Sequence, residues 1–326
     1  MRANKLYLDD ALKALADRRS ANLRIEERRR AEVIARLPEY ERLEGSLAET
    51  MNDTFTAAMD KASEINATEL LKKNCEIRRR MDELLESGGF PADYLDPIFT
   101  CINCKDKGNT GNDWCECLCR ITNEMAAAEL NASAPLDKCK FSTFDVTRYP
   151  DEADGDSAVP REMMQDNLDY CKQFADEFNG KGSGILMIGE TGLGKTHLSL
   201  SIANSLIEKG FCVAYGSVPE LVRKIQNEQF GRSDGDTLSL ATDSDLLILD
   251  DLGAENATDW CVSMLYEIIN TRQNRRLPII INTNLDFEEL TEKYRDRLSS
   301  RMFSMKIMFF TGNDNRVEFS ENFGGK

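Results

Sequence analysis

The sequence predicts an α/β fold, a parallel sheet flanked by helices, preceded by a helical N-terminal domain. From Arg161 onward, short apolar runs alternate with helical stretches, which is the pattern of a parallel sheet. Residues 1–90 instead consist mainly of helix-forming residues with charges of alternating sign. We therefore predict a helical domain over 1–130, a linker or entry segment over 131–160 and the α/β domain over 161–326.

The composition narrows the class of protein. The chain has 326 residues, 41% of them hydrophobic, which is enough for about two domains with a sizeable core. Its net charge of −16 argues against broad, charge-driven binding to nucleic acid, but leaves room for a narrow basic groove or one shared between subunits. No apolar stretch approaches membrane-spanning length and no signal region is found, so we expect a cytoplasmic protein without a membrane partner.

The N-terminal helical pattern is interrupted twice, at Pro38 and at the polar run Asn52–Thr56. This predicts two or three long, exposed helices or a short coiled coil. The triplets Arg28–Arg30 and Arg78–Arg80 suggest nucleic-acid binding, but carboxylates surround them. A solvated face with salt bridges is the preferred interpretation.

A phosphate-binding loop is the strongest signal in the α/β part. Gly189–Thr196 reads GETGLGKT and fits the G-x-x-x-x-G-K-[ST] pattern, between an apolar strand at Gly184–Ile188 and a helical run at His197–Glu208. Glycines let backbone N–H groups approach phosphates closely. Lys195 is expected at the β- and γ-phosphates, and the Thr196 hydroxyl on Mg²⁺. The predicted cofactors are ATP and Mg²⁺, and the predicted nucleotide contacts here are Gly189, Thr191, Gly192, Leu193, Gly194, Lys195, Thr196 and His197. For His197, the only histidine, packing is the preferred role.

A second apolar strand, Leu246–Leu249, runs into two carboxylates. Ligands of open α/β sheets bind where such strands end. Asp250 is the expected Walker B ligand of Mg²⁺, through water, and Asp251 is expected to orient or activate the attacking water. The alternative is an acidic strand end without function.

Two later segments complete the predicted catalytic set. A further apolar strand ends at Asn284, which we expect to sense the γ-phosphate; Asn282 and Thr283 are less favoured, and a plain strand cap is the alternative. Arg297 and Arg301 are four residues apart and share one helix face. Either arginine can reach a neighbouring subunit's γ-phosphate, with Arg301 favoured, unless the pair only forms a basic helix face.

Five cysteines crowd between Cys101 and Cys119. Two short cysteine pairs that fold towards each other can surround Zn²⁺ with four thiolates. We predict Cys101, Cys104, Cys115 and Cys117 as the ligands, with Cys119 as a spare or substitute. Reduced cysteines without metal and an iron–sulfur cluster are the alternatives.

Together these motifs resemble the bacterial replicative-helicase loaders of the DnaC/DnaI type, a branch of the AAA+ P-loop NTPases that also includes the IstB transposition ATPases. The resemblance covers nearly the whole chain and depends on the order of the motifs. The segments that carry it are Gly89–Ile98, the cysteine cluster, Phe141-x2-Phe144, Arg161-Glu162, the P-loop, Leu249–Gly253, Thr283–Leu285, Arg297–Arg301 and Phe309-Phe310-x-Gly312-Asn313-Asp314-x-Arg316.

The resemblance implies partners as well as a fold. ATP-bound loaders associate with one another, contact single-stranded DNA and bind the hexameric DnaB-type helicase through the N-terminal domain. It implies that Phe141 and Phe144 lie near the adenine and that Pro219–Arg232 faces DNA, with Arg223 and Lys224 as candidates. Most AAA+ proteins have a glutamate at the position that Asp251 occupies in this chain. The change to aspartate suits slow hydrolysis. The competing interpretations are an IstB-like transposition ATPase and a non-catalytic, nucleotide-binding helicase adaptor.

Overall fold

The chain divides into two compact units. A computed structural model describes residues 4–59, 67–152 and 158–312. One unit is Leu12–Thr110, and the other joins the residues up to Ala11 with those from Gly111 onward. The domain limits predicted from the sequence stay a prediction. Asn313, Asp314 and Arg316, which contribute to the family resemblance, lie outside the described residues.

Within the described residues, three helices build the first unit: α1 (Leu8–Arg36), which begins just before it, α2 (Pro38–Met59) and α3 (Ala67–Ser87). Pro38 starts α2, where a missing N–H costs nothing. The break predicted at Asn52–Thr56 is wrong, because α2 runs through it. Asn52 and Asp53 are exposed on the helix surface, and polar side chains there do not interrupt the backbone hydrogen bonds.

A small core and a charged surface characterise this helical unit. Six buried residues form its core, Val33, Tyr40, Ile77, Met81, Leu85 and Phe90. As predicted, arginines of both triplets are paired with carboxylates at the surface. The ion pairs are Arg30–Glu44 at 2.6 Å, Arg79–Glu83 at 2.6 Å and Arg80–Glu39 at 2.7 Å.

The second unit is built on a five-stranded parallel sheet, which confirms the predicted α/β fold. A hairpin, β1 (Asn109–Thr110) and β2 (Asp113–Trp114), precedes it. The sheet strands are β3 (Ile185–Ile188), β4 (Val213–Ser217), β5 (Leu246–Leu252), β6 (Ile279–Thr283) and β7 (Lys306–Phe309), in the spatial order β4-β5-β6-β3-β7. The helices are α4 (Glu116–Leu130), α5 (Pro160–Asp176), α6 (Lys195–Glu208), α7 (Val218–Gln229), α8 (Thr237–Asp243), α9 (Asp259–Asn274) and α10 (Phe287–Phe303).

Both faces of the sheet are covered, because successive strand residues point to opposite sides. Leu186 and Ile188 join the core that contains α4 and α7–α10, whereas Ile185 and Met187 join the core beneath α5 and α6. Runs of consecutive apolar residues are therefore required in these strands. Because these strands are parallel neighbours, the carboxyl ends of β3, β5 and β6 meet at one edge of the sheet. No helix within the described ranges is long and apolar enough to cross a bilayer.

Helix α4 follows the cysteine cluster in sequence and packs on the sheet. Ala126, Ala127 and Leu130 are buried in the same core as the strand residue Ala214. Beyond the helix, the Asn131 side chain donates a hydrogen bond to the Val213 carbonyl at 2.7 Å and accepts one from the Tyr215 N–H at 2.8 Å. Since β4 is the outermost strand on its side, Asn131 satisfies backbone groups that no further strand pairs with.

Candidate functional site: a nucleotide cavity and a cysteine cluster

The predicted P-loop joins β3 to α6 and borders a cavity of about 350 Å³. This volume falls in the range of small-molecule sites. Gly194 has φ 92° at the start of α6, and a Cβ there would lie 2.8 Å from both the Phe144 ring and the Tyr149 hydroxyl. Glycine is therefore required on two grounds, backbone conformation and space.

Lys195 lies across the loop. Its Nζ donates hydrogen bonds to the carbonyls of Gly189 at 2.5 Å and Glu190 at 2.7 Å, and to Oδ1 of Asn284 at 2.7 Å. Asn284 follows β6, so two residues predicted from separate motifs meet at one point. The lysine ammonium is held at the P-loop, within reach of any phosphate that the loop binds.

The carboxylate of Asp250 is almost fully buried and accepts three hydrogen bonds. Its Oδ1 accepts from the Thr196 hydroxyl at 3.1 Å and from Nδ2 of Asn282 at 2.8 Å, and its Oδ2 accepts from the Tyr215 hydroxyl at 2.8 Å. The two predicted Mg²⁺ ligands, Thr196 and Asp250, are thus in direct contact. Tyr215 is not predicted by any sequence motif, and Asn282 is only a less favoured candidate for sensing phosphate. Burial, and then the Asp250 charge, raise the pKa of Tyr215 well above its usual value, so the hydroxyl stays a donor.

Asp251 has a left-handed backbone, with φ 55°. Such a conformation costs a non-glycine residue ~1–2 kcal/mol. It coincides with a shift in the pairing of β5 with β6 between Leu249 and Leu252. The turn separates the two carboxylates, because Asp250 is buried while Asp251 is exposed and lines the cavity with Asn284.

Aromatic residues form the opposite wall of the cavity. Phe144 lines it, whereas Phe141 is half-buried against the core and does not. That both residues lie near the adenine stays a prediction. His197 also lines it; its ring contacts Phe144 edge-on at 5.5 Å, and Nε2 lies 3.0 Å from the Thr143 hydroxyl. The sequence missed Tyr149, whose hydroxyl donates to the Leu193 carbonyl at 2.9 Å.

Arg297 and Arg301 lie after a kink in α10 at Arg295, where φ is 62° and ψ 164°. The Arg301 guanidinium donates to the Tyr266 hydroxyl at 3.1 Å and stacks over its ring, 5.1 Å from the centroid. Both arginines line a separate surface cavity of about 650 Å³, and neither lines the P-loop cavity.

The four cysteines predicted to bind metal are brought together. The Sγ atoms of Cys101, Cys104, Cys115 and Cys117 all lie within 4.8 Å of one another. Tetrahedral Zn–S bonds of ~2.3 Å require sulfurs about 3.8 Å apart, so small shifts complete the site. The Gly108 N–H also points at the Cys104 sulfur, at 3.4 Å. Cys119 is buried outside this group, and burial raises the pKa of its thiol.

The candidate DNA-contacting residues lie on α7. Arg223 is exposed. Lys224 is half-buried and forms an ion pair with Glu129 of α4 at 3.1 Å. The structure therefore presents Arg223 to solvent more openly than Lys224.

Comparison with known proteins agrees with the nucleotide site. Residues 169–304 match the family model described as IstB-like ATP binding protein. Replicative helicase loader DnaI of Bacillus subtilis (strain 168) is 31% identical over 133 residues, 40% of this chain and 42% of that protein. Replicative helicase loader DnaC of Escherichia coli (strain K12) is 26% identical over 146 residues, 44% of this chain and 60% of that protein.

The chain thus spans about half the length of the curated relatives it matches. A crystal structure of the DnaC helicase loader superposes with a TM-score of 0.47 and 22% identity, over 55% of this chain and 100% of that one. Residues 169–304 of this protein are thus similar to the IstB-like ATP-binding proteins.

Proposed function

We propose that this protein is an ATP-dependent loader that binds the hexameric, DnaB-type replicative helicase and deposits it on single-stranded DNA. ATP binding and hydrolysis act as the switch. The observation that carries the proposal is a cavity lined by Lys195 and Thr196, with Thr196 hydrogen-bonded to Asp250, in a domain with relatives named replicative helicase loaders. We expect the activity in the cytoplasm, where replicating DNA is found.

The reaction is hydrolysis of ATP to ADP and phosphate. Lys195 exchanges its carbonyl partners for the β- and γ-phosphates, and Thr196 and Asp250 hold Mg²⁺, the latter through water. Mg²⁺ neutralises charge on the phosphates. Asp251 and Asn284, which face the same cavity, orient the attacking water. Phe144 packs beside the nucleotide, and Phe141 supports that wall from the core.

Self-association in the ATP state completes the site. Arg301, with Arg297 as the second candidate, stabilises the developing charge on a neighbouring subunit's γ-phosphate. The support is geometric, because both arginines line a surface cavity apart from their own chain's P-loop. Hydrolysis is then slow in isolated subunits and faster in assemblies.

Zinc, held by Cys101, Cys104, Cys115 and Cys117, stabilises the N-terminal region that binds the helicase. Four thiolates with no histidine or carboxylate in the set match a closed, structural zinc site. Single-stranded DNA is contacted through the Pro219–Arg232 segment, with Arg223 the better-exposed candidate.

A transposition ATPase is the second candidate, because the matching family model is itself IstB-like. The two functions share the ATP site and differ in the partner. A non-catalytic adaptor would share the partner and lack turnover.

The test is a pull-down of the replicative helicase from the same organism, with ATP, with ADP and without nucleotide, alongside steady-state ATPase assays with and without single-stranded DNA. A loader retains the helicase, and its ATPase rate changes when helicase and DNA are present. Failure to retain the helicase under every nucleotide condition contradicts the loader function and favours the transposition ATPase. Retention without any turnover identifies the adaptor instead.

A further inference from the structure

The Walker B carboxylate of Asp250 is fixed from the side opposite the P-loop. Ser217 of β4 stands opposite Asp250 of β5 in the sheet register. Tyr215 lies two residues earlier on the same face, which places its side chain diagonally across from Asp250. Its hydroxyl donates to Oδ2 at 2.8 Å.

The three hydrogen bonds to this carboxylate are expected to respond differently to Mg²⁺ binding. The Thr196 hydroxyl donates to Oδ1 here, and it must turn its oxygen to the metal in the proposed site. Asn282 and Tyr215 are not expected metal ligands, so their hydrogen bonds persist. Asn282 holds Oδ1 and also donates to Ser199, whereas Tyr215 alone among the described residues donates to Oδ2.

The strand that carries Tyr215 is itself held by a residue from outside the sheet. The Asn131 amide bonds to the backbone of both Val213 and Tyr215, and it is 8% exposed. A side-chain amide carries both N–H donors and a carbonyl acceptor, so it can satisfy the C=O of Val213 and the N–H of Tyr215 on this edge strand. Asn131 thereby fixes the position along β4 from which the tyrosine reaches Asp250.

We propose that Tyr215 is a positioning residue for the Mg²⁺ ligand Asp250, and that Asn131 sets the position of Tyr215. The proposal rests on the ATP-binding function proposed above. Tyr215 does not touch nucleotide or metal; it restricts rotation of a carboxylate that must present one fixed oxygen to a metal-bound water. Asn131, the first residue of the segment 131–160 that the sequence predicts to be a linker or entry segment, therefore contributes to the Mg²⁺ site.

The first experiment measures ATP affinity of the full-length protein in EDTA and across a Mg²⁺ titration, for wild type and Tyr215→Phe. We expect affinity in EDTA within about twofold of wild type, because Lys195 and the P-loop are unchanged. The Mg²⁺ concentration for half-maximal tightening should rise about tenfold, the effect of a weakened bond of roughly 1.4 kcal/mol. Tyr170→Phe, which removes a hydroxyl from α5, is the matched control and should titrate as wild type.

Asn131→Ala is the second variant, and it keeps the tyrosine hydroxyl. It should shift the Mg²⁺ requirement in the same direction by about threefold, and the double variant should be no worse than Tyr215→Phe alone, since both act on one interaction. Circular dichroism establishes that each variant is folded.

Three outcomes separate the possible failures. An unchanged Mg²⁺ requirement in folded Tyr215→Phe overturns the inference and leaves the ATP site intact. An equal loss of affinity in EDTA also overturns it, because the residue then supports the whole pocket. A wild-type protein that binds no ATP under any condition contradicts the proposed function itself.

Discussion

The two compact units are held together in different ways. Among the residues that the structure describes, the sheet-containing unit has two cores of 27 and 18 buried residues on opposite faces of its strands, whereas the helical unit has one core of six. Apolar burial contributes about 25 cal/mol per Å², so the sheet-containing unit has far more of this stabilisation available. Surface ion pairs, which both units contain, contribute only ~0–1 kcal/mol each and do not offset this difference.

Buried polar groups show the same difference. In the sheet-containing unit one set of polar groups lies beside the nucleotide cavity, where Thr196, Asn282 and Tyr215 surround the buried Asp250. In the helical unit, the fully buried Asp106 accepts the backbone N–H groups of Thr100 and Cys101, each at 2.8 Å. These contacts shape the loop that carries the proposed zinc ligand Cys101. We therefore expect loss of zinc to affect the helical unit, whose core is small, more than the nucleotide site.

Removing one thiolate is the strongest way to break this comparison. In Cys104→Ser the zinc contribution, ~10–16 kcal/mol in zinc-finger peptides, should largely disappear. We expect loss of bound zinc, rapid proteolysis between Phe90 and Cys115 and loss of helicase binding, with ATP affinity in the absence of Mg²⁺ within about threefold of wild type.

Elemental analysis, limited proteolysis and nucleotide binding measure these effects, with Cys75→Ser, an exposed cysteine of α3, as the control. Wild-type protein that carries no metal after purification under reducing conditions would show that the zinc assignment is wrong. Unchanged proteolysis in zinc-free Cys104→Ser would show that the helical unit does not depend on the metal.

A second change tests whether the sheet-containing unit hydrolyses ATP alone or needs an arginine from a neighbouring subunit. Arg301→Ala should bind ATP nearly normally and lower hydrolysis in assemblies by about 10³-fold, the lower range for an arginine finger. Mixing it with Lys195→Ala should restore part of the rate, because the second protein still supplies its arginine.

Arg297→Ala, assayed in parallel, identifies which arginine acts. If Arg301→Ala loses ATP binding and mixing restores nothing, the arginine acts within its own chain, in keeping with its contacts to Tyr266.

The P-loop lysine gives the next largest effect. Lys195→Ala removes the cation at the phosphates, and ATP affinity should fall at least about tenfold, or 1.4 kcal/mol. Lys209→Ala, at the other end of α6, removes a surface charge paired with Asp176 and should bind as wild type. The measurement is equilibrium titration with a fluorescent ATP analogue. Equal affinities for the two variants would show that the assignment of Lys195 to the nucleotide site is wrong.

The smallest expected effect concerns the free energy of unfolding of the helical unit. Gly45 lies inside α2, and a Cβ there meets no atom within 4 Å. Gly45→Ala should therefore stabilise the helical unit by ~0.5–1 kcal/mol. Urea unfolding followed by circular dichroism, with ATP affinity as the control, tests this; destabilisation would mean that this face of α2 is covered in solution.

The sequence alone was sufficient for the sheet and for the backbone of the nucleotide site, because glycine spacing and apolar strands ending in carboxylates are local patterns. The four clustered cysteines were identified for the same reason. Tyr215 and Asn131 could not be predicted, since their contacts depend on strand order and on the path of the chain before the sheet. Phe141 and Phe144 looked equivalent in sequence, and only the three-dimensional path assigns one to the cavity and the other to the core.

The amide of Asn131 on β4 has a consequence for how the protein can be divided. An uncovered outer strand presents N–H and C=O groups to which another chain can add, which leads to aggregation. Here α4 and Asn131 occupy that position. A fragment that begins at Arg161 would carry the full P-loop yet expose β4 to intermolecular pairing. A fragment that begins near Gly111 retains the cover, and it is the piece that should remain monomeric during purification.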